Sequence, residues 1–268
     1  QWCQPGVKDW VRFRDGFRMD RIYSQMGYAF AKHIFGIKGS YAVDPQKGAV
    51  VMTLTTQGDA PIHYTLDGSE PTAASPRYTG PVEIGKSARF RATALREGGE
   101  NASYSREFAF SKSTGRPAVL NTKPNDSYTF EGASLLVDGY HSRPVFTSGA
   151  WLGYLDEPLD VTIDMGGEQS YRSVELETLA EKGDWIFPPS SVTVWVSDNG
   201  TDFTEVASVT VPEAKAGDAD GIGRYRMQFP ETSARYLKVV AQNAAAIPAW
   251  HPGAGSKGFL FVDEIVVE

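Results

Sequence analysis

Val192, Val194 and Val196 alternate with Ser191, Thr193 and Trp195, and Asp198-Asn199-Gly200 follows directly. A two-residue period turns every second side chain toward a core, and an Asn-Gly step supplies the positive backbone angles of a tight hairpin. The chain is therefore expected to double back into Phe203-Thr204-Glu205-Val206 as an antiparallel pair. Leu159 to Gly166, Tyr236 to Val240 and Phe259 to Ile265 read as further strands, and no helical period competes with them. Strands of this number and spacing suit a jelly roll or two-sheet sandwich over residues 113–268.

Upstream the texture changes twice. From 41 to 112 short strands, such as Val50-Val51-Met52-Thr53-Leu54 and Ala88 to Leu95, are separated by Gly, Pro, Asn and Ser turns, which predicts a small immunoglobulin- or fibronectin-like β-sandwich. Within it Ile62 and Tyr64 alternate with His63 and Thr65 as a half-buried strand, and Asp67-Gly68 provides a tight turn. Residues 1–40 read differently. Trp10, Phe13 and Phe17, then Ile22, Met26, Phe30 and Ile34, predict an amphipathic helix from Val7 to Phe35, stopped by Gly36 and Gly39. The expected fold is mainly β, with an N-terminal helix, a small sandwich and a larger jelly roll. Ser111 to Pro117 has the composition of a linker.

Charge excludes one large class of partner. The net charge is -7 and the basic residues are scattered, so the electrostatic footprint of a nucleic-acid-binding surface is missing. No apolar run approaches the roughly 20 residues of a membrane helix. The lone cysteine, Cys3, gives no internal disulfide framework and beside Trp2 reads as a small buried hydrophobe.

Motifs for catalysis are equally sparse. His33, His63, His141 and His251 lie in unrelated contexts without a Gly-x-Ser-x-Gly elbow or metal-ligand spacing. Gly253 to Gly258 is Gly-rich but enters a strand rather than a helix, so it reads as a loop and not as a phosphate cradle. Two adjacent carboxylate pairs occur. Asp156-Glu157 precedes Pro158 in a loop, while Asp263-Glu264 lies in a strand, where neighbours point to opposite faces.

Loop aromatics are the remaining chemical signal, because the apolar face of a pyranose stacks on an aromatic ring. The candidates are Tyr140 and His141 after an Asp-Gly turn, Trp151 and Tyr154, Trp185 and Phe187, and Trp250 and His251 between Pro248 and Pro252. Trp151 precedes a strand and Trp185 an Ile-Phe-Pro run, which favours packing for both. Nothing in the irregular segment around Trp250 and His251 demands burial, so a contact there could serve a sugar or another domain.

Three motif sets carry family resemblances. Tyr64-Thr65-Leu66-Asp67-Gly68-Ser69-Glu70-Pro71-Thr72 resembles the fibronectin-type-III-associated module that follows the catalytic barrel in family 20 glycoside hydrolases, the β-N-acetylhexosaminidases. Gln1-Trp2-Cys3 with Lys8 to Phe13 is similar to the end of that barrel. Leu136-Val137-Asp138-Gly139, then Trp185 to Pro189 with Val192 to Gly200, then Phe261 to Ile265, resemble the discoidin (coagulation factor five/eight type C) family in that order.

The resemblances imply a function. They imply the C-terminal accessory region of a periplasmic, secreted or cell-surface glycoside hydrolase, which binds N-acetylhexosamine-containing glycan or positions its own upstream catalytic barrel. The alternative is a structural appendage that packs on the barrel and holds no ligand. Family 20 enzymes act through an adjacent Asp-Glu pair on the barrel, where Glu protonates the leaving oxygen and Asp orients the acetamido nucleophile. That pair is expected upstream of these residues. The discoidin resemblance also implies a structural Ca²⁺ held by Asp138 and Glu264 with backbone carbonyls. Against it, Asp138 can simply cap the turn before Gly139, and Arg143 stands where the family's usual ligands would.

Overall fold

The computed structural model describes residues 36–56, 60–95 and 101–268, so the helix expected over residues 7–35 lies outside the described residues. The described residues cluster into two units, one with residues 36–40, 52–56, 60–82, 88–95 and 101–106, the other with 41–51, 83–87 and 107–268. Strands β1 (Lys38–Asp44), β2 (Ala49–Thr55) and β4 (Val82–Ile84) form a sheet in the order β1-β2-β4.

In the first unit β3 (Ile62–Thr65), β5 (Ala88–Ala94) and β6 (Ala102–Phe108) form a sheet in the order β3-β5-β6. Tyr64 stacks on the fully buried Phe90 with ring centroids 5.7 Å apart. The turn after β3 follows the sequence reading. Gly68 takes φ of 85°, and the Asp67 carboxylate accepts the Ser69 amide at 2.9 Å.

The second unit holds β7 (Ala118–Leu120), β8 (Leu152–Tyr154), β9 (Leu159–Ala180), β10 (Ser191–Ser197), β11 (Thr204–Thr210), β12 (Gly221–Gln242) and β13 (Leu260–Val267). β9 and β12 are 22 residues each, far beyond the five or six of an ordinary strand, because each belongs to two sheets. Residues 159–164 of β9 pair with 236–241 of β12, and 173–180 pair with 221–228. Between these stretches the register shifts, at Gly166, whose φ is 78°, in β9 and at Pro230 in β12.

One face of the sandwich is thus β11-β10-β12-β9-β7 and the other β12-β9-β13-β8. Val161, Ile163, Val192, Val194, Leu237 and Val239 from the first meet Val174, Leu176, Met227 and Ile265 from the second in one buried core. The alternation read at Val192 to Val196 is this inward row, and Gly200 closes the predicted hairpin with φ of 77°. Among the described residues the helical turns are short 3-10 segments: Asp126–Tyr128, Gly132–Leu136, Phe146–Ser148 and Lys182–Asp184.

Candidate functional site

The loops that leave β9 and β12 and enter β10 and β13 gather at one set of strand ends. Ser191 at the start of β10 pairs with both Thr210 and Gln242, and the residue after Trp185, Ile186, bridges Glu181 and Phe259. Phe187 donates its amide to the Phe259 carbonyl at 2.9 Å, and Phe259 donates to the Trp185 carbonyl at 2.8 Å. The 3-10 turn Lys182–Asp184 therefore delivers Trp185 from a backbone pinned on both sides.

Trp185 is 42% exposed and has φ of 64°. A bulky residue in the left-handed region is strained and persists only where the surroundings impose it. Among the described residues the two non-glycine residues at positive φ are Trp185 and Phe130, and both are exposed aromatics. Gly253 lies flat against the Trp185 indole, where an added Cβ would come within 2.8 Å of the ring.

His251 joins this turn to the loop that carries Trp250. Its Nδ1 accepts the Gly253 amide at 3.0 Å, so the ring proton sits on Nε2 and is donated to the Lys182 carbonyl at 2.9 Å. The rings of Trp185, Trp250 and Phe187 stand nearly edge-on or tilted around it, with His251 5.9, 5.6 and 5.5 Å from each by centroid. Trp250 is 40% exposed and donates its indole N–H to the Ala214 carbonyl at 2.9 Å. Lys182 is buried; its ammonium donates to the Asp218 carbonyl at 2.8 Å and pairs with Asp220, whose carboxyl it holds below the usual range. The arrangement leaves the Trp185 and Trp250 side chains part-exposed around a buried His251.

Trp250 thus stays a contact candidate, and Trp185, which its neighbours in sequence assigned to packing, joins it. Nothing local signals this, because the exposure comes from the left-handed backbone. Three other candidates are withdrawn. Trp151 is fully buried with its N–H spent on the Arg143 carbonyl at 3.0 Å, and Tyr154 is fully buried in the core, so neither can touch a ligand. His251 is buried as a strut, with both ring nitrogens occupied.

Tyr140 and His141 belong to a second cluster. Four consecutive residues are held by carboxylates: Gly139 donates its amide to Glu264 at 3.2 Å, Tyr140 to Asp138 at 2.7 Å, Ser142 to Asp263 at 2.8 Å, and His141 Nδ1 lies 2.9 Å from Glu177. That last contact becomes an ion pair when the imidazole is protonated. Burial pushes Glu177 up, but His141 and Arg224 outweigh it and hold the carboxyl below the usual range, while Glu177 raises His141.

Asp263-Glu264 lies in β13, as the strand reading expects, but the simple alternation of faces is broken there by a bulge. Val262 pairs with Thr178 and Ile265 with Leu176, leaving two residues opposite Glu177, and this bulge buries both carboxyls. Burial, aided by the Asp138 charge on each, raises both well above the carboxylate range. Asp138 caps its turn through the Tyr140 amide, accepts the Tyr41 hydroxyl at 3.0 Å, and is buried, while Glu264 Oε1 is buried without a hydrogen-bond partner. Two carboxyls with an orphaned oxygen fit a hard cation such as calcium only if backbone carbonyls complete the shell, since no group of three acidic, His or Cys side chains suited to a metal occurs among the described residues. The other adjacent pair is spent on the surface: Asp156 pairs with Lys257 at 2.7 Å and Glu157 accepts the Lys123 amide at 2.8 Å.

A two-sheet sandwich with two part-exposed indoles on the loops at one set of strand ends defines the class as a β-sandwich module. Residues 121–257, half of the chain, match the F5/8 type C domain, and the chain belongs to that family. Residues 41–106 match the chitobiase/beta-hexosaminidase C-terminal domain. Among curated proteins none matches. The chain is similar to chitosan-binding module 1 from the chitosanase/glucanase of Paenibacillus sp. IK-5, at 18% identity over 59% of this chain and 98% of that one, with a TM-score of 0.39. It is also similar to CpGH89CBM32-5 from Clostridium perfringens, solved with GalNAc-β-1,3-galactose, at 16% identity over 57% and 94%, with a TM-score of 0.39. A third similar structure is CBM32-3 of a family 31 glycoside hydrolase from Clostridium perfringens, at 16% identity over 60% and 94%, with a TM-score of 0.38.

Proposed function

We propose that these residues are the non-catalytic accessory region of an exported β-N-acetylhexosaminidase-like glycoside hydrolase, and that the F5/8 type C domain binds hexosamine-bearing glycan through Trp185 and Trp250. The observation that carries the reading is Trp185 itself. A strained backbone holding a large apolar ring in water costs stability, and a stacking ligand gives that cost a use. The matched chitobiase/hexosaminidase module supports the parent enzyme class. No helix among the described residues is long and apolar enough to cross a membrane. The test is calorimetric titration with chitotriose and with GalNAc-β-1,3-galactose. Stacking on the scale of about 1–3 kcal/mol predicts at least a tenfold loss in Trp185→Ala and in Trp250→Ala, with melting midpoints that stay within a few degrees of the parent's. Binding that survives both substitutions contradicts the assignment, and an absence of binding favours the structural appendage, in which the indoles meet the barrel.

Calcium is a second proposal, favoured by Glu264 Oε1. Asp138 and Glu264 would hold the ion, which would neutralise two buried charges. Millimolar Ca²⁺ is then expected to raise the midpoint relative to EDTA, by about 2.7 kcal/mol at a hundredfold excess over its dissociation constant, and not in Asp138→Ala. Coincident curves for the parent protein remove the ion.

A further inference from the structure

Lys182 touches the supports of both part-exposed indoles. A lysine is almost never fully buried unless it is paired, and this one is buried with its amide, carbonyl and ammonium all bonded. Its amide donates to the Asp220 carboxylate at 3.2 Å. Its ammonium donates to the Asp218 carbonyl at 2.8 Å and pairs with Asp220. Its carbonyl accepts the Trp185 amide at 3.0 Å and the His251 ring at 2.9 Å.

The other half of the pair lies in the connection between β11 and β12. Residues 215–220 are all exposed, so burial of apolar surface does not set the course of this segment. Polar contacts set it instead. The Asp218 amide on the Lys215 carbonyl at 3.1 Å and the Lys215 amide on the Asp218 carboxylate at 2.7 Å close residues 215–218 into a compact turn. Lys182 holds one side of that turn, and just before the other side the Ala214 carbonyl accepts the Trp250 indole N–H at 2.9 Å. Trp250 is therefore linked to Lys182 twice, through its neighbour His251 and through the segment 214–220, while Trp185 is linked through its own amide. The Asp220 side chain is 47% exposed, and ion pairs so open to water contribute little to global stability, which separates the loss of this pair from unfolding.

We propose that the Lys182–Asp220 pair is a positioning device for both indoles: it holds the segment 214–220 between them and so fixes how Trp250 stands relative to Trp185. The binding consequence rests on the glycan reading of those two residues. A chain that stacks on two rings needs both in place before it arrives, and ordering them on binding would cost affinity. Lys182 and Asp220 act through the indoles and need not touch the ligand.

The experiment records indole ¹H–¹⁵N spectra of the full chain, its Asp220→Ala and Asp220→Asn variants and a Glu231→Ala control, each free and titrated with chitotriose, with melting midpoints alongside. Glu231 forms an exposed pair with Arg172 at the corner of β12, so the control loses an ion pair away from these loops. In Asp220→Ala the Nε1 signals of Trp185 and Trp250 are expected to shift in the free protein while that of Trp151 stays in place. Affinity should fall roughly fivefold, the scale of one net hydrogen bond, with the midpoint within a few degrees of the parent's. Asp220→Asn, which keeps an acceptor oxygen for Lys182, should lie between the parent and Asp220→Ala, and Glu231→Ala should match the parent. Signals of Trp185 and Trp250 that match the parent's in Asp220→Ala overturn the positioning role. Equal movement at Trp151, which marks general loosening, overturns it too, as does unchanged affinity beside a parent that binds. Failure of the parent to bind chitotriose overturns the glycan reading alone, because the spectra of the free protein still decide whether the pair positions the indoles.

Discussion

The loops around His251 and the carboxylate cluster around Glu177 belong to one sandwich and treat solvent in opposite ways. The first spends its polar groups internally, on carbonyls and amides, and leaves the indoles of Trp185 and Trp250 in water. The second takes Asp138, Glu177, Asp263 and Glu264 out of water and uses them to hold a four-residue backbone segment. Exposed apolar area without a structural need points outward to a partner, whereas buried charge that is hydrogen-bonded locally points inward, to architecture. Sequence alone grouped Tyr140 and His141 with Trp250 as contact residues. The structure separates them by what their polar atoms are doing.

The comparison breaks most visibly at Trp151, an indole of the buried kind. Trp151→Ala is expected to cost about 3–5 kcal/mol, lowering the melting midpoint by roughly 10 °C, because the side chain is fully enclosed and its N–H is bonded. A midpoint close to the parent's would mean that this region repacks freely.

A smaller effect is expected from pH. Asp263 and Glu264 have raised folded values, so the stability they contribute is full below the ordinary carboxylate range and is lost as pH rises through those raised values. Glu177 has the opposite sign, contributing above the ordinary range and losing it as pH falls. In EDTA, chemical denaturation across the acid-to-neutral range should show stability declining with rising pH, and Glu264→Gln should flatten that decline. A slope unchanged by the substitution assigns the titration elsewhere.

Next in size is His141→Ala, which leaves the buried Glu177 with Arg224 as its remaining counter-charge and should cost about 1–3 kcal/mol at pH 6. Glycan affinity is expected to be unaffected, and a matched loss of affinity would merge the two regions into one site. The smallest stability effect belongs to Trp250→Ala, within about 0.5–1 kcal/mol for an exposed ring with one hydrogen bond.

The hairpin at Asp198-Asn199-Gly200 and the turn at Asp67-Gly68 were legible because each places a positive backbone angle on a glycine, Gly200 and Gly68. Alternation likewise revealed the inward row of Val192, Val194 and Val196. The 22-residue strands were not, since a strand that changes sheets interrupts its own alternation at the corner, as at Gly166 and Pro230. The bulge at Asp263-Glu264 escaped for a related reason: it exists only relative to Glu177 on a partner strand. At the site, Trp250 could be picked out by its irregular, proline-flanked loop, while Trp185 depended on a left-handed backbone fixed by Phe259, a residue far along the chain.

The central claim is that the exposed indoles, and not the carboxylate-held segment, meet glycan. Indole ¹H–¹⁵N spectra recorded during titration with an N-acetylhexosamine trisaccharide test it most directly, with signals assigned by single Trp substitutions. The account predicts that the Nε1 signals of Trp185 and Trp250 move in a saturable way while that of Trp151 stays in place. Movement confined to Trp151 or to the His141 ring, or no saturable movement at Trp185 and Trp250 while the trisaccharide binds, would contradict it.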